Sequence, residues 1–142
     1  MWLMNRRTGG AVASHVELAC TRATRRQGLL QRDALDSSAA MILAPCFLIH
    51  TGFMRFSIDV LFIDGESAVC RVVPNLPPWR MAGDLRGRTV IELAGGTAAE
   101  REVRVGDQLY LSAAVSGGER SLSAVVGPGL RKLASSPARS GA

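Results

Sequence analysis

Two apolar runs joined by a tight-turn signal constrain the fold of this chain more than any other feature. Residues 58–63 read Ile-Asp-Val-Leu-Phe-Ile, and the dipeptide Asp64-Gly65 separates them from a second run over residues 68–73. Asp-Gly between two such runs is typical of a β-hairpin. Asp59 is the one polar residue of the first run. Because buried polar groups need hydrogen-bond partners, this aspartate is a natural anchor for loop amides.

Shorter signals of the same kind lie on both sides of this hairpin. Along residues 11–19 the side chains alternate between a more apolar face and a more polar face, which is typical of a half-buried strand. The 15 glycines and 6 prolines imply many turns and favour a strand-rich fold over a helix bundle. Further strands are predicted over residues 41–43, 89–93, 109–115 and 121–126, whereas residues 46–57 and 74–80 are predicted to be irregular.

Two short helices complete the predicted fold. One covers residues 21–27 and ends at Gly28. The other lies near residues 98–103, where Thr97 and Glu100 have the spacing of a capping box. The prediction is therefore a mainly β domain (α+β by strict count), a small compact half-open β-barrel-like domain with two short helices.

The length of 142 residues fits a single domain with one core. Residues 1–10 end in Thr8-Gly9-Gly10 and are predicted to be a flexible leader. Residues 11–126 are predicted to form the β-rich domain. Residues 127–142, with their serines, prolines and basic cluster, are predicted to be a disordered tail.

Cysteine use and charge argue against several classes of protein. Three cysteines without a CxxC pair give no disulfide framework and no zinc ribbon. No apolar run reaches the roughly 18 residues of a membrane span, so a cytoplasmic protein without membrane association is expected. The net charge is +5, yet residues 33–100 carry five arginines against eight acids. Nucleic-acid binding needs a continuous basic surface, and the arginine-rich ends are the weakest of the functional signals.

His50, Asp59 and Cys46 are the candidates for chemistry. An aspartate that accepts from one imidazole nitrogen raises the basicity of the other, which would make His50 a general base. Cys46 would then be a candidate nucleophile. The alternative is that His50 and Asp59 bond backbone groups and hold an irregular loop on the core. A cysteine such as Cys46 is more often a small buried residue than a nucleophile, and a lone Cys-x3-His pair is too little for a zinc site.

The segment Pro77-Pro78-Trp79-Arg80 is the candidate for a binding lip. Its prolines make it stiff, and tryptophan and arginine are typical hot-spot residues. The alternative is a loop in which Trp79 closes the end of a barrel. Together these segments predict a surface for a ligand or partner that comprises His50, Thr51, Arg55 and Asp59, with Trp79 and Arg80 at its rim.

Several motifs follow one another along residues 11–111. They are Gly28-Leu29-Leu30, His50-Thr51-Gly52-Phe53-Met54-Arg55-Phe56, Ile58-Asp59-Val60-Leu61-Phe62, Leu76-Pro77-Pro78-Trp79-Arg80, Glu92-Leu93-Ala94-Gly95-Gly96-Thr97 and Val105-Gly106-Asp107. With these motifs in this order, the chain resembles domain-of-unknown-function family 192, a group of small bacterial and archaeal proteins. Ser57 stands where the family usually has proline. The resemblance implies a compact, mostly β domain with short helices, brings no assigned reaction, and marks His50, Thr51, Met54, Ile58 and Asp59 as motif positions.

These features predict a non-catalytic binding or accessory module with no metal or cofactor. Its partner would be an unknown small ligand or a protein. One alternative is a hydrolase or transferase that uses His50 as base, Asp59 as its orienter and Cys46 as nucleophile. The other is nucleic-acid binding through the arginine-rich ends. The oligomeric state is not predicted.

Overall fold

The computed structural model describes residues 1–19, 32–113 and 119–122. Within these ranges the chain forms eleven short strands and one short helix. The elements in chain order are β1 (Trp2–Asn5), β2 (Ala11–Ala13), β3 (His15–Ala19), β4 (Ala39–Leu43), β5 (Leu48–His50), β6 (Ile58–Ile63), β7 (Val69–Leu76), β8 (Met81–Gly83), β9 (Thr89–Ala94), α1 (Thr97–Glu100), β10 (Leu109–Ser112) and β11 (Glu119–Ser121).

The described strands form three sheets. One sheet has the order β11-β10-β1-β2, and a five-stranded sheet has the order β3-β4-β9-β6-β7. Strands β5 and β8 form a separate two-stranded sheet, called the ribbon below. The mainly β prediction is confirmed. The described sheets are not closed into a barrel, because β3 and β7 are the two edges of the five-stranded sheet and do not pair with each other.

The five-stranded sheet is the middle layer of the molecule and buries both of its faces. Successive side chains of a strand point to opposite faces, and β6 and β9 follow this rule. Leu61 and Leu93 belong to a core cluster shared with the four-stranded sheet. Val60 and Val90 belong to a second cluster, which contains Ile49 of the ribbon. The ribbon therefore packs on the face that is turned away from the four-stranded sheet.

The predicted flexible leader is in part a strand. Strand β1 pairs with β10 on one side and β2 on the other, and Leu3 is fully buried in the core. Burial of this side chain and pairing on both edges order the segment. The strand predicted over residues 11–19 is divided at Ser14 into β2 and β3, because the chain passes there from one sheet to another.

The predicted irregular segments also contain strands. Strand β5 lies within residues 46–57, and β8 follows the proline-rich segment. Strand β7 continues through Pro74 to Leu76, which an edge strand tolerates because one side of its backbone is not needed for pairing. The helix predicted over residues 21–27 and the tail predicted over residues 127–142 lie outside the described residues.

Candidate functional site

Asp59 is a fully buried carboxylate that holds backbone amides in place. Its Oδ1 accepts hydrogen bonds from the N–H groups of Asn75 (2.8 Å) and Gly96 (3.1 Å), and its Oδ2 accepts from Ala98 (2.7 Å). The last two N–H groups lie at the start of α1, so Asp59 supplies from a distant strand the acceptor that a helix N-terminus requires.

The capping box predicted between Thr97 and Glu100 is therefore wrong. The residue at the N-cap is Gly96, with a left-handed φ of 89°, and no side chain of the helix itself caps the terminus. A helix does form at Thr97–Glu100, and it overlaps the first half of the predicted residues 98–103. Its N-terminal acceptor comes from Asp59.

His50 and Asp59 lie on opposite faces of the five-stranded sheet. Asp59 stands opposite Leu93 in the β6–β9 pairing, on the face shared with the four-stranded sheet. His50 lies on the ribbon, which covers the other face, and its side chain is exposed. Both oxygens of Asp59 are occupied by backbone N–H groups. The hydrogen bonds of these two residues therefore do not join the imidazole to the carboxylate.

The imidazole of His50 is oriented by its own loop. Its Nδ1 accepts a hydrogen bond from the backbone N–H of Gly52 at 3.3 Å. An accepting Nδ1 carries no proton in this arrangement, so the proton of the neutral ring is on Nε2. His50 stands directly opposite Met81 in the ribbon, and both side chains are exposed. The ring therefore offers one N–H donor beside an exposed thioether.

Thr51 is buried and connects the loop after β5 to the loop before β8 by hydrogen bonds. Its hydroxyl donates to the carbonyl of Pro77 (2.7 Å) and accepts from the N–H of Arg80 (2.9 Å). Its own N–H donates to the carbonyl of Arg80 (2.8 Å), and its carbonyl accepts from the N–H of Trp79 (3.0 Å). Because its side chain is fully buried, Thr51 acts by positioning these loops.

The two loops connected by Thr51 each carry one exposed aromatic ring, and the two rings form a pair. Phe53 is 73% exposed and Trp79 is 62% exposed, although their ring centroids are only 4.6 Å apart in an edge-to-face arrangement. Both residues have a φ of 64°, in the left-handed region that non-glycine residues rarely adopt. Side chains on the outer face of the ribbon continue the pair. The surface formed by Leu48, His50, Phe53, Trp79 and Met81 is called the aromatic surface below.

The remaining predicted site residues have separate surroundings. Arg55 is exposed and forms an ion pair with Asp33. Arg80 is exposed, its guanidinium contacts the carbonyl of Trp79 at 3.2 Å, and no carboxylate in the described part of the chain pairs with it. Cys46 is half-buried, and its thiol donates to the carbonyl of Leu48 at 3.3 Å. The structure thus places His50 and Trp79 on either side of Gly52, with Arg80 next to Trp79 in the chain, and places Asp59 elsewhere.

Glu92, the first residue of the motif Glu92-Leu93-Ala94-Gly95-Gly96-Thr97, is a buried carboxylate. It is 5% exposed, and its Oε2 has no hydrogen-bond partner among the described residues. Its partners in register are Met41 on β4 and Val60 on β6, which both belong to the ribbon-side core cluster. Burial raises the pKa of Glu92 to about 7. A glutamate between two apolar strand residues is the signal that could have identified it.

Asp107 is a second buried carboxylate, and it connects two turns beside the four-stranded sheet. It accepts from the side chains of Arg7 (2.7 Å) and Asn5 (2.8 Å) and from the N–H of Arg104 (2.9 Å). Burial by itself raises the pKa of Asp107, but the hydrogen bonds from Arg7, Asn5 and Arg104 outweigh it and hold the pKa at about 2. The motif Val105-Gly106-Asp107 therefore has a structural role.

Two classes of site are absent from the described residues, a metal cluster and a membrane-spanning helix. In residues 1–19, 32–113 and 119–122 no group of three or more His, Cys, Asp or Glu side chains is placed to hold a metal ion. In the same ranges no helix is long and apolar enough to cross a membrane.

Comparison with known proteins identifies the family. The family model described as "Uncharacterized ACR", domain-of-unknown-function family 192, matches residues 4–111, more than half of the chain. No curated protein matches the chain.

Two crystal structures have a similar fold. One is a protein of unknown function from Novosphingobium aromaticivorans DSM 12444, with 24% identity, a TM-score of 0.67, and coverage of 77% of this chain and 83% of that one. The other, from Sinorhizobium meliloti 1021, is described as a "putative transcription regulator", with 24% identity, a TM-score of 0.65, and coverage of 76% and 88%. At this identity both likenesses concern the fold alone. The family match is decisive: the chain belongs to domain-of-unknown-function family 192.

Proposed function

We propose that this chain is a non-catalytic protein-binding module and that the aromatic surface is its contact surface. The observation that carries the proposal is the Phe53–Trp79 pair, two large rings in mutual contact that remain 73% and 62% exposed. Met81 beside them is 69% exposed. Contiguous exposed apolar side chains of this kind mark interaction sites in soluble domains.

The composition of the surface fits a protein partner. Tryptophan, phenylalanine, methionine and arginine are enriched in protein–protein interfaces, and lysine is depleted. The aromatic surface contains the first three types, with Arg80 next to Trp79. Small-molecule sites are concave and enclose most of the ligand, whereas Phe53, Trp79 and Met81 project from the domain.

The backbone conformation holds the two rings in fixed positions. A left-handed φ at a non-glycine residue costs on the order of 1–3 kcal/mol and persists only where the surroundings enforce it. At Trp79 the hydrogen bonds of Thr51 enforce it from both sides of the residue. Rings that are held in place before binding lose less conformational entropy when a partner covers them.

A catalytic role for His50 with Asp59 receives less support. The acceptor atoms of Asp59 are already bonded to backbone N–H groups. Its side chain also lies on the face of the five-stranded sheet that is turned away from the ribbon and His50. His50 is available instead as a hydrogen-bond donor at the edge of the aromatic rings.

The test is selection of peptide binders from a random-peptide library against the intact protein. A parallel selection uses a Phe53→Ser/Trp79→Ser double variant, whose substitutions remove exposed rings and leave the core intact. Val105→Ser is the matched control, because Val105 is also an exposed apolar residue but belongs to the turn beside Asp107. We expect binders that recognise the wild type and the control and fail to bind the double variant. Binders that recognise all three proteins equally would refute the proposal.

A further inference from the structure

We propose that the partner contributes an acidic, extended segment that adds to β5 as a third strand of the ribbon. This inference rests on the protein-binding function proposed above and specifies how that surface binds. Two observations carry it: the direction of the backbone groups of β5, and the charges around the ribbon.

Among the described strands, the backbone of β5 has one edge that is not used for pairing. Strand β5 pairs with β8 in a regular antiparallel register, and the N–H of Thr51 donates to the carbonyl of Arg80 just beyond it. In such a pairing, alternate residues bond to the partner strand and those between them direct their N–H and C=O groups away from it. Counting from Thr51, the residues that face away from β8 are Leu48 and His50.

The outer edge of β5 is also the more accessible edge of the ribbon. On β8, the outward carbonyl of Gly83 accepts a 2.7 Å hydrogen bond from Arg71, so a side chain of β7 covers that edge. On β5, the donor to the carbonyl of Leu48 among the described residues is the thiol of Cys46, a weak donor. In the described part of the chain no strand other than β8 pairs with β5.

An extended peptide matches this edge chemically. It carries N–H and C=O groups at the spacing of a strand, so it can bond to both Leu48 and His50. Its side chains would alternate between the outer face of the ribbon, beside Met81, and the opposite face. A helix or a globular surface without a free strand offers no such series of backbone groups.

The charges near the ribbon select an acidic segment. Residues 44–57 and 77–88 contain four arginines and no lysine or glutamate, and their single acid is Asp84. Asp84 already pairs with Arg86 at 2.8 Å and Arg55 pairs with Asp33, whereas Arg80 has no carboxylate partner among the described residues. A second copy of this chain would bring like charges together, which disfavours self-pairing and favours an acidic partner.

The experiment uses the intact protein and the peptide that the library selection enriches most strongly. We expect this peptide to be acidic and to shift the backbone amide resonances of Leu48 and His50 in NMR spectra. N-methylation of the alternate peptide nitrogens that face β5 should weaken binding by about ten-fold or more, because it removes the donors of the added strand. N-methylation of the other alternate nitrogens is the matched control and should leave the affinity largely unchanged.

A protein variant gives a second measurement. Leu48→Pro removes the outward N–H at an edge position, where proline is tolerated, and should weaken binding to a similar extent. Leu48→Val also changes the side chain but keeps the N–H, so the difference in affinity between the two variants reports the contribution of the N–H. The N-methylated peptides act on the wild-type protein, so their result decides the question even if the proline variant does not fold.

Three results would overturn the inference. They are a selected peptide that is basic, a peptide whose affinity survives both patterns of N-methylation, and a wild-type dimer that Leu48→Pro abolishes. If such a peptide still requires Phe53 and Trp79, the proposed function stands and only the strand-addition mode fails. If it binds the Phe53→Ser/Trp79→Ser variant as well as the wild type, the proposed function itself fails.

Discussion

Asp59 and His50 are separated by the five-stranded sheet, with the aspartate on one side of it and the imidazole outside the ribbon that covers the other. The two residues belong to one continuous sequence motif, yet they have different surroundings and different partners. Asp59 binds the start of α1, and His50 lies beside exposed aromatic rings. The motif therefore combines a structural part with a surface part, and the two parts can be tested separately.

Removal of the Asp59 carboxylate should destabilise the fold. In Asp59→Ala the N–H groups of Asn75, Gly96 and Ala98 lose their acceptor, and an unsatisfied buried N–H costs about 1–3 kcal/mol. We expect the free energy of unfolding, measured by urea denaturation, to fall by about 3 kcal/mol or more. Asp33→Ala removes an exposed carboxylate and serves as control, with an expected change within about 1 kcal/mol. Equal stability of the two variants would contradict this role.

Thr51→Val should loosen the loop that carries Trp79. The substitution keeps the shape of the side chain but removes the hydroxyl that bonds to Pro77 and Arg80. We expect a loss of about 1–2 kcal/mol in the free energy of unfolding and faster hydrogen exchange at the Arg80 amide. Thr51→Ser keeps the hydroxyl and should retain the protection of that amide. The same exchange rate in the two variants would show that the hydroxyl does not hold the loop.

Glu92 should make the protein less stable as the pH rises. Burial raises its pKa from 4.5 to about 7, so between these values the unfolded chain releases the proton before the folded chain does. The free energy of unfolding should therefore decrease from about pH 4.5 to about pH 7 and level off above, by on the order of 3 kcal/mol in total. Glu92→Gln has no charge to lose. Its urea denaturation curves across this pH range should lack the decrease, and parallel curves for both proteins would refute the assignment.

Asp107 should have the opposite pH dependence, at lower pH. Its pKa is lowered from 3.8 to about 2, so its contribution to stability is complete above the unfolded value and is lost as the pH falls toward 2. The loss should be on the order of 1–2 kcal/mol, since Arg7 is partly exposed and its charge is screened. Asp107→Asn should remove this part of the acid destabilisation. A difference between variant and wild type that stays constant from pH 5 to pH 2 would argue against it.

The strands were predictable where local pattern and burial agree. The runs that form β6 and β9 are mostly apolar because both faces of the five-stranded sheet are covered. Such an apolar run can be recognised in a single sequence. The ribbon gave no such signal. Strand β8 consists of Met81, Ala82 and Gly83, which is too short for an alternation and contains a residue with low strand propensity.

The site was predictable by residue type but not by arrangement. Trp79 and Arg80 were expected at a binding lip, and both are exposed. An apolar residue such as Phe53 is usually buried, but its left-handed backbone directs the ring outward, where it contacts Trp79. The acceptor of α1 lies on a strand far away in sequence, so a local capping pattern could not reveal it. These contacts depend on tertiary structure.

The most direct test of the account compares the affinity of one selected peptide for three proteins by titration calorimetry. We expect Trp79→Ala to weaken binding by about ten-fold or more. Asp59→Asn keeps one acceptor oxygen for the backbone amides and should bind the peptide as the wild type does, under conditions where circular dichroism shows it folded. A folded Asp59→Asn protein that loses the peptide while Trp79→Ala retains it would contradict the assignment of function to the aromatic surface.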